Sequence, residues 1–204
     1  GGYGRRIVFL GAGSVQFAPS LIVDFIRQPD LHGATLCMVD IDADRLALTH
    51  ALALRLVAIS GAPYVVEATT ERAEVLGGAD AVIISVELDR FPTWEVDRRV
   101  PAELGIAQAL GENGGPGGLF HAMRQIPPIV DICRDIDRLC PDALVINLSN
   151  PMSRICRAIA MNARCRCIGL CHEIKGGNRF VSRVLGVPEA DLTSAAAGIN
   201  HFTW

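Results

Sequence analysis

The chain has 204 residues, half of them apolar and a fifth charged, with a formal net charge of −3. Such a composition supports a large buried core and excludes a disordered class. The faint acidity, without any Lys/Arg run, argues against a nucleic-acid partner, and no apolar run is long enough to imply a membrane partner.

Residues 7–14 read Ile-Val-Phe-Leu-Gly-Ala-Gly-Ser: four apolar strand residues run straight into a glycine turn, and a helical pattern follows. Gly11 lets the chain reverse, and Gly13 has no Cβ to hold a pyrophosphate away. The next helix, expected over 14–27 with Leu21, Ile22, Phe25 and Ile26 inward, aims its free N–H groups at the phosphates. A third glycine would complete the fingerprint, but the position holds Gln16. An ordinary strand-turn-helix corner is the alternative. The second strand, 35–40, ends on Asp40, either an acceptor for an adenosine ribose or, with Asp42 and Asp44, a cap for the helix over 44–60. A strand over 63–68, a helix over 70–76 and a buried strand over 81–86 complete one mononucleotide-binding half. The loop after that strand carries Glu87, Asp89 and Arg90 and borders the ligand crevice.

A polar segment over 90–100 follows, then Gly-Glu-Asn-Gly-Gly-Pro-Gly-Gly over 111–118. Five glycines in eight residues predict a loop, ligand-facing rather than a mere linker. The helix over 119–139 should kink or restart at its Ile-Pro-Pro, 126–128. The strand over 143–150 ends in Asn147, Ser149 and Asn150 before Pro151. Asn150 is read as a ligand contact, although these residues also suit a simple Asx turn. A helix over 152–161 leads to a strand over 166–171 that closes on Cys171-His172-Glu173, and a last helix near 178–185 precedes Asn200-His201. The alternation predicts an α/β fold, a doubly wound, mostly parallel Rossmann-type sheet with helices on both faces. We divide it into a dinucleotide-binding domain over 1–150 and the start of a metal- and substrate-binding region over 151–204. Seven cysteines, most of them in apolar segments, read as reduced thiols of a cytoplasmic protein. A thiolate at Cys171 and an imidazole at His201 are of metal-ligand type, though a buried Cys and a core His fit the same residues. A zinc site from Cys165, Cys167 and Cys171 has the wrong spacing.

In order and spacing, Gly11-Ala-Gly-Ser14, Val39-Asp40, the glycine-rich 111–118, Asn147-Leu-Ser-Asn-Pro151, Gly169-Leu-Cys-His172 and Gly198-Ile-Asn-His201 resemble the N-terminal half of glycoside hydrolase family 4. This family comprises NAD- and metal-dependent glycosidases outside the paired-carboxylate scheme. The resemblance implies that Gly11, Gly13, Ser14, Asp40 and Asn147 hold NAD, and that Cys171 and His201 ligate a catalytic divalent metal, usually Mn2+. It places Asn150 and His172 at the reacting sugar, with Asn113 and Arg90 as further substrate contacts. Cys171-His172 looks like the branches acting on unphosphorylated sugars, most like the α-galacturonidase and α-galactosidase types. A uronate would need a cation, for which Arg90, Arg124 and Lys175 are candidates. The implied reaction is oxidation at sugar C3, elimination and water addition, with the proton-abstracting base in a C-terminal half beyond this chain. The fragment alone is then expected to bind NAD and turn over poorly, and the full-length protein to be a homodimer or homotetramer. A lactate/malate-type 2-hydroxyacid dehydrogenase and a non-catalytic NAD-binding module are the rival readings.

Overall fold

The computed structural model describes residues 4–108, 112–195 and 197. Six strands form one sheet: β1 (Arg6–Leu10), β2 (Thr35–Val39), β3 (Val65–Thr69), β4 (Ala81–Ile84), β5 (Leu144–Asn147) and β6 (Arg166–Gly169), in the order β3-β2-β1-β4-β5-β6. Every pairing is parallel, with Val8 opposite Cys37 on one side and Val82 on the other. The doubly wound sheet is therefore as expected. Strand order changes direction between β1 and β4, which opens a crevice beyond the carboxyl ends of those two strands.

Among the described residues the α-helices are α1 (Ala18–Ile26), α2 (Ala43–Ser60), α3 (Arg72–Leu76), α4 (Arg90–Glu103), α5 (Gly115–Leu139) and α6 (Met152–Asn162), which connect the strands, and α7 (Glu173–Leu185), which follows β6. Side chains alternate across a strand, so β1 sends Val8 and Leu10 to one face and Ile7 and Phe9 to the other. The first pair meets Leu76 of α3, Ile129 and Ile136 of α5 and Ile155 of α6. The second meets Ile22 of α1 and Leu46 and Ala53 of α2. Both faces are thus covered, which explains why the central strands are apolar without alternation.

Several boundaries differ from those expected. The helix predicted from 14 begins only at Ala18, because residues 14–17 form a turn. That turn is closed by Ala18 N–H on the Ser14 carbonyl at 2.9 Å and Phe17 N–H on Ser14 Oγ at 3.3 Å. The polar segment after 90 is a helix, α4, despite lacking an apolar stripe. It lies along α5 and carries the ion pairs Arg98–Glu95 and Arg99–Glu103 on its exposed side. The glycine-rich segment is only partly a loop. From Gly115 onward it forms the first turn of α5, with a proline in that turn and Gly117 and Gly118 buried. Packing of that turn overrides composition, since the helix is held by its neighbours rather than by its own propensity. For the same reason α5 continues through Pro127 and Pro128 without restarting, its inward stripe running unbroken from Ile129 to Ile136. β6 stops at Gly169, and α7 starts at Glu173, earlier than predicted.

The chain divides into two compact units, Gly1–Gly169 and Leu170–Trp204. The first contains the whole sheet and therefore extends past position 150. In the second, α7 is capped by Gly186, left-handed at φ 67°, and Arg179 pairs with Glu189 at 3.6 Å. No helix among the described residues is long and apolar enough to cross a membrane.

Candidate functional site

Gly11, the first residue past β1, has φ +85°, and a Cβ there would overlap the carbonyl oxygen of Ser85, just past β4. Only glycine satisfies both demands, so β1 and β4 approach closely at the crevice. The Gly11 and Ala12 amides both donate to the Val39 carbonyl, at 2.9 and 3.0 Å. Gly13 donates its N–H to Asp40 Oδ2 at 2.8 Å, and an added Cβ would lie at that same 2.8 Å from the oxygen. Asp42 N–H donates to the other carboxylate oxygen at 3.0 Å. Asp40 thus braces the glycine turn from the end of β2, a contact the sequence did not reveal. The cap of α2 is Asp42, whose side chain accepts from Arg45 N–H at 3.0 Å. Each Asp40 oxygen keeps a lone pair for a ribose hydroxyl. A glycine turn at the switch point of the sheet with a carboxylate beside it fits a bound dinucleotide. Gly11, Gly13, Ser14 and Asp40 come together here.

Arg90 reaches back to this turn. It donates to Gln16 Oε1 at 3.2 Å, and its guanidinium carbon stands 5.3 Å from the Trp94 ring centroid. The residue replacing the third glycine is therefore the tether of the loop after β4.

The β5 tip is tied to β4. Ser149 Oγ donates to the Val86 carbonyl and accepts from Val86 N–H, both at 2.8 Å. Asn147 is fully buried, donates to the Ser149 carbonyl at 3.0 Å and accepts from Ser149 N–H at 3.3 Å. Its amide shapes the tip as the Asx-turn alternative foresaw. Asn147 also donates to Cys156 Sγ at 3.9 Å; the hydrogen bond with the Cys167 thiol, and after it that from Asn147, lowers the Cys156 pKa against the opposing effect of burial. Asn150, one residue on, donates to Glu112 Oε1 at 3.2 Å, and Asn113 donates to the same oxygen at 3.3 Å. Arg154 of α6 donates to the Asn113 carbonyl at 2.7 Å. Two predicted substrate contacts, Asn113 and Asn150, are thus gathered by a third residue, Glu112, that the sequence did not single out.

The uronate candidate Arg124 is committed to Asp97, which is almost wholly buried. That hydrogen bond raises the Arg124 pKa, and the pair locks α4 to α5. Behind the β4 tip lie two further residues the sequence did not single out, His121 and Gln125, both almost fully buried on α5. Their signal was legible, because both fall on the inward stripe of an otherwise apolar helix face. In the second unit, Cys171, His172 and Lys175 are exposed. His201 lies outside the described residues, and among those described no three His, Cys, Asp or Glu side chains form a metal-holding group.

The model of the family described as "Family 4 glycosyl hydrolase" matches residues 6–187. An alpha-glucosidase from Erwinia rhapontici is 44% identical over 200 residues, a match covering 97% of this chain and 44% of that protein. An alpha-galacturonidase from Thermoanaerobacterium saccharolyticum is 36% identical over 210 residues, again covering 97% of this chain and 44% of that protein. Among solved structures, a 6-phospho-alpha-glucosidase from gut microorganisms, in complex with NAD and Mn2+, superposes with a TM-score of 0.87 at 25% identity, covering 98% of this chain and 46% of that one. The chain thus spans a little under half the length of the relatives it matches.

Proposed function

Because this chain belongs to the family 4 glycosyl hydrolases, we propose that it is the dinucleotide-binding half of an NAD- and divalent-metal-dependent glycosidase acting on unphosphorylated α-glycosides. The observation that carries the reading is the Gly13–Asp40 contact, a glycine turn at the switch point of the sheet braced by the carboxylate that closes β2. When bound, NAD would take and return a hydride at sugar C3 and the metal would polarise the oxygen there. This chain's own residues do the rest of the positioning. Gly11 and Gly13 let the turn pass close against Ser85 and Asp40, Ser14 follows where the phosphates would lie, Asp40 accepts ribose hydroxyls, and buried Asn147 sets the shape of the neighbouring tip. Asn150 and Asn113, joined through Glu112, offer amide groups to sugar hydroxyls, and Arg90, tethered to Gln16, is the further candidate contact. Cys171 and His201 would hold the metal, with His172 next to the reacting sugar.

The sugar class rests on the Cys171-His172 pair and on the relatives named alpha-glucosidase and alpha-galacturonidase, so α-glucosides join α-galactosides and α-galacturonides as candidates. The test is a panel of nitrophenyl α-galactoside, α-glucoside, α-galacturonide and α-glucuronide, assayed with NAD and Mn2+ and with each omitted. It is run beside calorimetric titration of NAD. Saturable NAD binding is expected, and any turnover should require both additions. Turnover independent of NAD, or no NAD binding, would overturn the proposal.

A further inference from the structure

We infer that Glu87 is a binding residue for the second ribose of the dinucleotide, the one that carries nicotinamide, with its carboxylate held from behind by Gln125. The inference rests on the dinucleotide reading above. Glu87 is the third residue past β4, on the far side of the switch point from Asp40. If the adenosine ribose lies against Asp40 at the end of β2, a dinucleotide crossing the glycine turn brings its other half over β4 and β5.

The carboxylate there is built in. Its Oε1 accepts from Gln125 Nε2 at 3.1 Å and lies 3.2 Å from His121 Nε2. Gln125 is fully buried and also clamps the next residue at both backbone groups, accepting Leu88 N–H and donating to its carbonyl, each at 3.2 Å. One buried amide therefore fixes the side chain of Glu87 and the backbone beside it. Oε2 makes no hydrogen bond among the described residues, and the Glu87 side chain remains 23% exposed. A carboxylate anchored at one oxygen and open at the other is an acceptor prepared for hydroxyl donors. Two further observations agree. The ring nitrogens of His121 are buried without a hydrogen-bonded partner, the Glu87 contact being out of line, a cost that folds tolerate mainly where a site is served. Asp89, two residues on, is the one non-glycine residue with positive φ among those described, at 48°, and such strain gathers at ligand edges.

The test compares ADP, ADP-ribose and NAD as calorimetric ligands of the 204-residue chain. ADP carries the adenosine and both phosphates, and ADP-ribose adds the second ribose alone. Glu87→Ala should weaken ADP-ribose and NAD alike, by about tenfold, the scale of one charge-assisted hydrogen bond, and leave ADP unchanged. Gln125→Met should reproduce that split more mildly, because it frees the carboxylate without removing it. A merely structural Gln125 would lower all three ligands together. Unchanged ADP-ribose binding in Glu87→Ala, or an equal loss of ADP, overturns the inference. Loss of NAD alone moves the contact to the nicotinamide ring and overturns the ribose assignment. Wild-type chain that binds none of the three refutes the dinucleotide reading itself and this inference with it.

Discussion

Gly13 and Asp40 illustrate how much one missing methyl group decides. With a Cβ on Gly13 the carboxylate oxygen at 2.8 Å must move, and the amide it braces loses its partner. Gly13→Ala is therefore expected to lower the unfolding midpoint, by about the worth of one hydrogen bond to a charged group, and to lower NAD affinity as Asp40 leaves its place. Thermal denaturation and calorimetry on the same sample check both effects, and a variant with wild-type stability and wild-type NAD affinity would refute the bracing role of Asp40. Cys171 tests a different part of the reading. Cys171→Ser should abolish metal-dependent turnover and leave NAD affinity nearly intact, whereas equal loss of both would make the thiol structural. At this scale the sequence was informative wherever a residue's identity forces its chemistry, as for Gly11, Gly13 and Asp40. It was silent where a side chain's partner is remote. Nothing near Glu112 announces that its carboxylate joins Asn113 to Asn150.

Among the elements, α5 departs furthest from expectation, since its first turn is built from glycines and its interior holds two prolines. Its support is tertiary. On one side Arg124 holds Asp97 of α4; on another, Asp135 receives Arg72 of α3 at 2.7 Å and Arg138 at 3.0 Å. The hydrogen bond from Arg138, and then that from Arg72, holds the Asp135 carboxyl below its ordinary range. A depressed carboxyl stabilises the fold in full above the usual carboxylate range, and the gain is lost as pH falls through the lowered value. The Arg72 side chain is 39% exposed and so screened by solvent, and Arg72→Ala should cost only about 0.5–1 kcal/mol at neutral pH. The gap from wild type should close as acid protonates Asp135. Urea unfolding across a pH series checks this, and a gap that persists in acid would trace the cost to lost packing. Helix α4 was missed for a related reason, because its charged face carries no apolar period and its position is fixed by neighbours.

For the whole molecule, the division after Gly169 has a direct consequence. All six strands and both apolar clusters lie before that point. A chain ending at Gly169 should therefore unfold cooperatively and still bind ADP, measurable by calorimetry on both lengths. Loss of ADP binding would mean that residues 170–204 complete the crevice. The sequence by itself determined the alternation of strand and helix, the glycine turn after β1, the carboxylate closing β2 and the amide-rich tip of β5. These are local properties, set by hydrophobic period and by where a Cβ is absent. Only the tertiary structure decided what those parts meet. Asp40 braces Gly13 across 27 positions, while Gln125 holds Glu87 and Asn150 meets Glu112 across 38 each. Such contacts exist only once the sheet has stacked its strands in register, and no local pattern encodes them.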